Sequence, residues 1–425
     1  MKVLLGSILL AFGGAQGAAQ DSVTSIDLSD PRYVAGAAML DAEFERTVDE
    51  TILLTEIPAP PFGEDPRAEA YLAMFRDTGF ADASRDEEGN VLALLPSGAE
   101  RGPVILVSAH LDTVFPIETD VTVNREGDRL TAPGVGDATR NLAVILAYAR
   151  AMKESGLRTA TDILFVGTVG EEGPGDLRGV RYLMTQGDYA GRVKAFLSFD
   201  GLDPEEIIAS AVGSRRYRTT FRGPGGHSFS DFGIVNPMGA MARTVEELYA
   251  LEVPSDPPTS YAASMVSGGR SINSIPDVVE LQVDLRSFSP EELARLDREY
   301  LAATERAVVQ ENARRLTSKG ELTVENTLIG DRPAGGGGGD SAIAQTALAA
   351  YSAHGFAPEF SAASTDSNIA MSLGIPALTL GSGGTEFGAH SLDEYIELPR
   401  EDTLRGMRAG YAAVLALAGT PPEQD

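Results

Sequence analysis

The chain has 425 residues, 34 basic against 62 acidic side chains, a formal net charge of −28 and no cysteine. The length exceeds what one compact core usually holds and predicts two domains. The charge argues against nucleic acid and anionic membrane surfaces as partners, and the missing thiols exclude disulfide scaffolds, thiol nucleophiles and thiolate metal sites.

In chain order, Lys2, the apolar stretch 3–12 and the small residues 13–19 predict an export signal over residues 1–19, cleaved after Gly17 or Ala19. The mature protein is then expected to be exported, periplasmic or secreted. No later segment reaches the roughly 18 apolar residues a membrane span needs, so no membrane integration is expected after signal removal. Residues 39–55 and 64–79 have helical spacing, the second ending at Gly79. Residues 91–95, 104–108, 163–169 and 195–199 predict short strands, and 141–155 a long buried helix. Strands alternating with helices predict an α/β layer structure.

The pattern changes after Gly213. Residues 215–222 alternate as a half-exposed strand; a helix is predicted at 237–251, period-two alternation closes 271–286, a helix covers 290–315 and a strand 321–328. This β-α-β-β-α-β-like set predicts a small α+β, ferredoxin-like domain. The glycine run 335–339 is expected to give slack to a domain connection or a mobile loop. Helices at 341–354 and 403–417 and a strand at 376–380 then resume the α/β pattern, and 419–425 reads as a polar tail. The expectation is a domain made of residues 32–212 and 330–420, its mixed sheet flanked by helices, with 213–329 inserted into it.

Chemistry concentrates at the ends of the apolar strands. VILVSA runs into His110 and Asp112, ILFVGTVG into Glu171 and Glu172, AFLSF into Asp200, and ALTLGSGG leads on to His390. Ligands bind outside the carboxyl ends of strands in open α/β sheets. Asp137, in the loop APGVGD, adds a fifth ligand type. Each residue alone has a plainer reading: a core histidine capped by Asp112, a solvated helix start at 171–172, an N-cap at Asp137, a turn at Asp200, loop histidines at 227 and 390. Together, on one sheet, they read as a site. Two imidazoles with several carboxylates suit Zn²⁺, with Mn²⁺ or Co²⁺ as alternatives. Five ligands exceed one catalytic zinc, whereas two ions sharing one carboxylate use them all. Adjacent residues at a strand end point apart, so one acid of the 171–172 pair can bind metal and the other act as base. His354 has no motif around it and reads as structural. Residues 364–368 read as a helix cap. No P-loop, G-x-S-x-G or H-E-x-x-H pattern is present.

The motifs SAHLDTV, PGVGD, TVGEEG, SFDG, GGHS, NSIPDVVELQVDLR and GAHSLDEY span residues 108 to 395. In this order and spacing the chain resembles the dinuclear-zinc exopeptidases and amidohydrolases, which include glutamate carboxypeptidase, aminoacylase, succinyl-diaminopimelate desuccinylase and peptidase T-like dipeptidases and tripeptidases. The resemblance implies two divalent metal ions per subunit, zinc first. His110 and Asp200 would hold one ion, Glu172 and His390 the other, and Asp137 would bridge them, followed by a non-proline cis peptide. Asp112 would orient His110. Glu171 would be the general base, working on a water between the two ions. His227 would reach the partner subunit's site and stabilise the oxyanion, and Asn273 and Arg286 would position substrate. Residues 364–368 would form a wall of the substrate pocket. A homodimer follows, with residues 213–329 as lid and dimerisation surface. The family usually has Gly where this chain has Asn141, which leaves the local backbone open. Asp200, where carboxypeptidases and deacylases tend to carry Glu, leans the reading toward peptides with a free amino end. The expected activity is hydrolysis of short peptides. The alternatives are hydrolysis of N-acyl amino acids on the same metal core, and a binding protein that has lost catalysis.

Overall fold

A computed structural model describes residues 27–98 and 102–420; the export signal expected at 1–19 lies outside the described residues. The centre is an eight-stranded mixed sheet, ordered Ser84–Arg85, Val91–Leu95, Asp162–Thr168, Val104–His110, Val193–Phe199, Ala377–Leu380, Glu206–Ala211 and Glu359–Ala363. Asp162–Thr168, Val104–His110, Val193–Phe199 and Ala377–Leu380 run parallel to their neighbours within this set, so their carboxyl ends share one edge. Every residue of Val104–His110 and of Asp162–Thr168 is buried. Helices cover both faces, which is why these strands read as unbroken apolar runs rather than as alternation. Ile105 and Val107 face a large core shared with helices Asn141–Glu154 and Arg400–Ala418. Val104 and Leu106 face a smaller one with Arg178–Thr185 and Ser367–Ser372.

The helix expected at 39–55 is two helices, Pro31–Ala42 and Phe44–Thr55. Pro31 in the first turn and the Asp30 side chain, which accepts from Arg32 N, start the first helix earlier than apolar spacing indicates. Glu43, at the break, pairs with the fully buried Arg150.

The second sheet is antiparallel, ordered Thr259–Gly268, Val278–Ser287, Gly213–Arg222 and Thr323–Arg332. Helices Pro237–Tyr249 and Pro290–Arg314 pack over it around Phe221, Leu281, Leu296 and Tyr300. Its chain order is strand, helix, strand, strand, helix, strand. Thr259–Gly268 escapes a reading by hydrophobic pattern because it is an edge strand, exposed at most positions. The chain leaves the large sheet after Ala211 and returns beside it, where Ala211 N donates to Gly335 O at 2.8 Å. The glycine run is therefore packed, not slack. Gly338 N donates to Ala209 O, and a Cβ at Gly339 would lie 2.3 Å from the Phe360 ring. Glycine permits that approach of backbone to neighbour.

A small antiparallel sheet, ordered Thr385–Phe387, Tyr395–Glu397, Arg129–Thr131 and Asn124–Glu126, lies beside the loop that carries Asp137.

Candidate metal centre and active site

The shared edge of the parallel strands brings the five ligand-type residues together. His110 closes its strand and is buried. Its Nδ1–H donates to the carbonyl oxygen of Asp112 at 2.9 Å, which turns Nε2 toward Asp137 Oδ1 at 2.8 Å and Asp200 Oδ1 at 3.5 Å. Asp137 gives its other oxygen to His390, whose Nε2 lies 2.9 Å from Oδ2 and 3.0 Å from Glu172 Oε1. Ligand atoms of His110, Asp137 and Asp200 lie within 4.8 Å of one another, as do those of Asp137, Glu172 and His390. Asp137 thus belongs to both groups. His110, Glu171 and Glu172 form a third such group, but Glu171 is engaged elsewhere, by Arg332.

The loop geometry is fitted to these positions. The Asp137–Ala138 peptide is cis, as the resemblance implies. His390 has a φ of 64°, in the left-handed region that side chains other than glycine seldom adopt. The donor set, imidazole and carboxylate without thiolate, suits ions of the zinc class. Its electrostatics fit a cation as well. Burial opposes ionisation of the Asp137 carboxyl, but hydrogen bonds from His110 and His390 outweigh it and hold that carboxyl below its usual range. Bonds from Asp137 and Glu172 push the His390 imidazole up to about 11. Burial disfavours charge on His110, yet Asp137 and Asp200 raise it well above the ordinary imidazole value. Positive charge between these carboxylates is strongly favoured.

Asp112 touches His110 differently from expectation. The carbonyl makes the orienting bond, and the carboxylate Oδ1 stays 3.8 Å from Nδ1. That carboxylate instead accepts from Glu171 N at 3.0 Å and Glu172 N at 2.8 Å. The strand end leaves these two N–H groups without ladder partners, so a buried carboxylate satisfies both.

Glu171 is buried, and its carboxylate pairs with Arg332 Nη1 at 3.0 Å. Arg332 Nη2 also donates to the Glu171 carbonyl. Burial drives the Glu171 carboxyl well above the usual carboxylate range, against the pull of Arg332. Arg332 ends the last strand of the second sheet and also reaches Ser364 Oγ at 3.3 Å. Residues 364–368 form the turn into helix Ser367–Ser372 and reach the arginine beside Glu171. Asn368 Oδ1 accepts from Thr365 N at 3.0 Å, while Ser364 touches the arginine that holds Glu171.

Asn141 is buried behind the centre. Its amide is oriented so that nitrogen donates to Gly201 O at 3.1 Å and Ser382 Oγ at 2.6 Å, and oxygen accepts from Gly201 N at 3.0 Å. It ties the residue after Asp200 to the segment leading to His390. His354 Nδ1–H donates to Ala350 O and its Nε2 pairs with Tyr33 Oη, away from the centre.

Three residues expected at the site are not brought to it within one chain. His227 is exposed on a two-stranded ribbon with Ser274, and its Nδ1 accepts from Phe229 N at 3.2 Å. Asn273 lies beside it, its carbonyl accepting from Ser228 N. Arg286 is half-buried in the second sheet and donates to Asp284 Oδ2 at 2.8 Å. None of the three belongs to a ligand group among the described residues.

Sequence reasoning missed Arg332, Glu386 and Glu394. Glu394 is buried and accepts from Gly136 N at 2.8 Å, Gly134 N at 3.0 Å and Asp137 N at 3.3 Å, which fixes the loop of the bridging carboxylate. It stands in the motif GAHSLDEY, where its spacing from His390 was the one available signal. Arg332, before Pro333 and the glycine run, carried none.

The family model "Peptidase family M20/M25/M40" matches residues 106–416. Solved structures of similar fold include the aminopeptidase PepT of Bacillus cereus, 20% identical with a TM-score of 0.70, covering 88% of this chain and 98% of that one. A Bacillus subtilis protein described as a dinuclear metal-binding peptidase of family M20 is 16% identical with a TM-score of 0.61, over 89% and 99% of the two chains. An amidase of the hydantoinase/carbamoylase family from Burkholderia vietnamiensis is 16% identical with a TM-score of 0.63, over 89% and 98%. At these identities the likeness is one of fold. With the family model spanning most of its length, the chain belongs to peptidase family M20/M25/M40 and is a metal-dependent hydrolase.

Proposed function

We propose that the protein is an exported exopeptidase that hydrolyses short peptides on a pair of divalent metal ions. The observation that carries this reading is Asp137, shared between the His110–Asp200 and Glu172–His390 groups with one oxygen toward each histidine. His110 and Asp200 would hold one ion, and Glu172 and His390 the other. Ions bound there would polarise the scissile carbonyl and make a water acidic enough to attack it near neutral pH. Glu171 takes the proton of the attacking water and delivers it to the departing nitrogen. Its elevated affinity for a proton, set by burial, suits a group that must accept and then give up that proton. Arg332 fixes its orientation.

The same reading makes the second sheet a dimerisation and lid unit. Phe229, Phe232 and Ile272 are exposed beside His227 and Asn273, and Met265 and Val266 are exposed on the edge strand. Exposed apolar side chains of this kind favour a second copy, which would carry the partner's His227 toward this chain's metal centre as the oxyanion donor. Arg286 and Asn273 would then position substrate. Export rests on residues 1–19. No helix of the described residues is long and apolar enough to cross a membrane.

The test is metal content per subunit by elemental analysis, with hydrolysis of a panel of dipeptides, tripeptides and N-acyl amino acids. About two ions with peptide turnover supports the proposal. Turnover of acylated compounds alone moves the assignment to an amidohydrolase, and metal-free activity ends the two-ion reading.

A further inference from the structure

The reaction does not require Glu386, and no ligand or orienting role accounts for it. It sits on the short strand Thr385–Phe387. Its side chain lies flat on Gly136, the residue before the bridging Asp137: a Cβ at Gly136 would meet Glu386 Cδ at 2.6 Å and Oε1 at 2.7 Å. Oε1 is buried and has no hydrogen-bond partner. Glu386 also lines a cavity of about 340 Å³ whose wall contains Asp200, Asp203 and Glu206 and no lysine, arginine or histidine. An unpartnered buried acceptor is costly, and its persistence beside a reaction centre points to a ligand that completes it.

We infer that Glu386 is the specificity residue for the free α-amino group of the substrate. The inference deepens the exopeptidase reading and rests on it. The chemistry of the substrate sets the distance. In a peptide cleaved after its first residue, the α-nitrogen is two bonds from the scissile carbonyl carbon. Its anchor must therefore stand immediately beside the metal centre, where Glu386 stands against the Asp137 loop. An ammonium brings the positive charge and the donors that this acidic wall lacks. An N-acyl group brings no charge and a single amide N–H, and a deamino analogue brings neither charge nor donor and would leave Glu386 Oε1 unpaired. Sites built to bond a polar group reject analogues that lack it far more strongly than apolar slots discriminate.

The experiment compares a free dipeptide with its N-acetylated and deamino analogues on wild type and on Glu386→Gln, a change that keeps size and removes charge. Wild type is expected to favour the free dipeptide over the deamino analogue by at least about 100-fold in kcat/KM. The variant is expected to lose roughly 10- to 100-fold toward the free dipeptide, mostly in KM, while the analogues are unaffected and two ions remain bound. An unchanged ratio of free to deamino turnover in the variant overturns the inference and leaves peptide hydrolysis standing. If wild type hydrolyses no peptide, the exopeptidase reading itself has failed. If the variant does not fold, the wild-type comparison decides alone: equal turnover of free and deamino peptides overturns the assignment.

Discussion

Asp112→Asn isolates one half of the metal centre. The Asp112 carboxylate is fully buried and spends one oxygen on Glu171 N and the other on Glu172 N. Asparagine fills the same space but presents an NH₂ where one acceptor stood, so a donor faces a donor. Two charge-assisted bonds worth about 1.5–3 kcal/mol each become one neutral bond of about 1 kcal/mol, and a buried N–H is left unmet. Relief from burying the charge, which pushes this carboxyl up to about 6, offsets part of that. A net cost of about 2–4 kcal/mol remains, borne by the backbone under Glu171 and Glu172. The Asp112 carbonyl that orients His110 is untouched by the change. The His110–Asp200 group should therefore keep its ion, while affinity at the Glu172–His390 group falls by roughly 10- to 100-fold, as outer-layer changes usually do. Titration against a competing chelator resolves the two binding events, and kcat/KM measured at each occupancy should follow the weaker one. Equal weakening of both ions, or no weakening of either, would refute the reasoning.

Glu171→Gln should retain both ions and lose at least about 100-fold in turnover, the usual cost of removing a general base; unchanged turnover removes Glu171 from the mechanism. Asn141→Gly deletes three hydrogen bonds and strands the Gly201 amide. It should lower stability to denaturant by about 1–3 kcal/mol with two ions still bound, whereas an unaltered midpoint would mean the amide holds nothing. His227→Ala and Glu171→Gln should each be nearly inactive alone. If His227 serves the partner's site, mixed dimers of the two regain one intact site, so random mixing restores about a quarter of wild-type activity. No recovery in verified mixed dimers would place His227 outside the partner's chemistry.

The strand ends were legible because burial on both faces turns a parallel strand into an unbroken apolar run. A polar residue at its end then stands out, as His110, Glu171 and Asp200 do after their strands. The residues that hold these in place were not legible, for a physical reason. Glu394 satisfies N–H groups some 260 positions earlier in the chain, and Arg332 reaches Glu171 across 161 positions. Such bonds depend on how loops meet at the sheet edge, and no local period encodes them. The edge strand Thr259–Gly268 escaped for the opposite reason: exposure at most of its positions erases the alternation that marks a strand.

Charge ties the metals and the substrate to one argument. Asp112, Asp137, Glu171, Glu172, Asp200, Asp366, Glu386 and Glu394 gather around the guanidinium groups of Arg332 and, beside Asp112, Arg67, and the imidazoles of His110 and His390. Eight carboxylates against these two guanidiniums leave a surplus that burial makes expensive. Part of it is absorbed by protonation: burial pushes the Asp366 carboxyl up to about 7 and the Glu386 carboxyl up to about 8. Two divalent ions would absorb four charges more, and would do so at the Asp137 end of the cluster. Arg332 answers Glu171 on the other side. Glu386 lies on the cavity side with no such partner, so a positive charge entering there would take the place of its proton and pair with the carboxylate. A peptide that arrives with a free ammonium supplies that charge; an acylated one does not. The acidity that suits the centre to metal would therefore also sort its substrates.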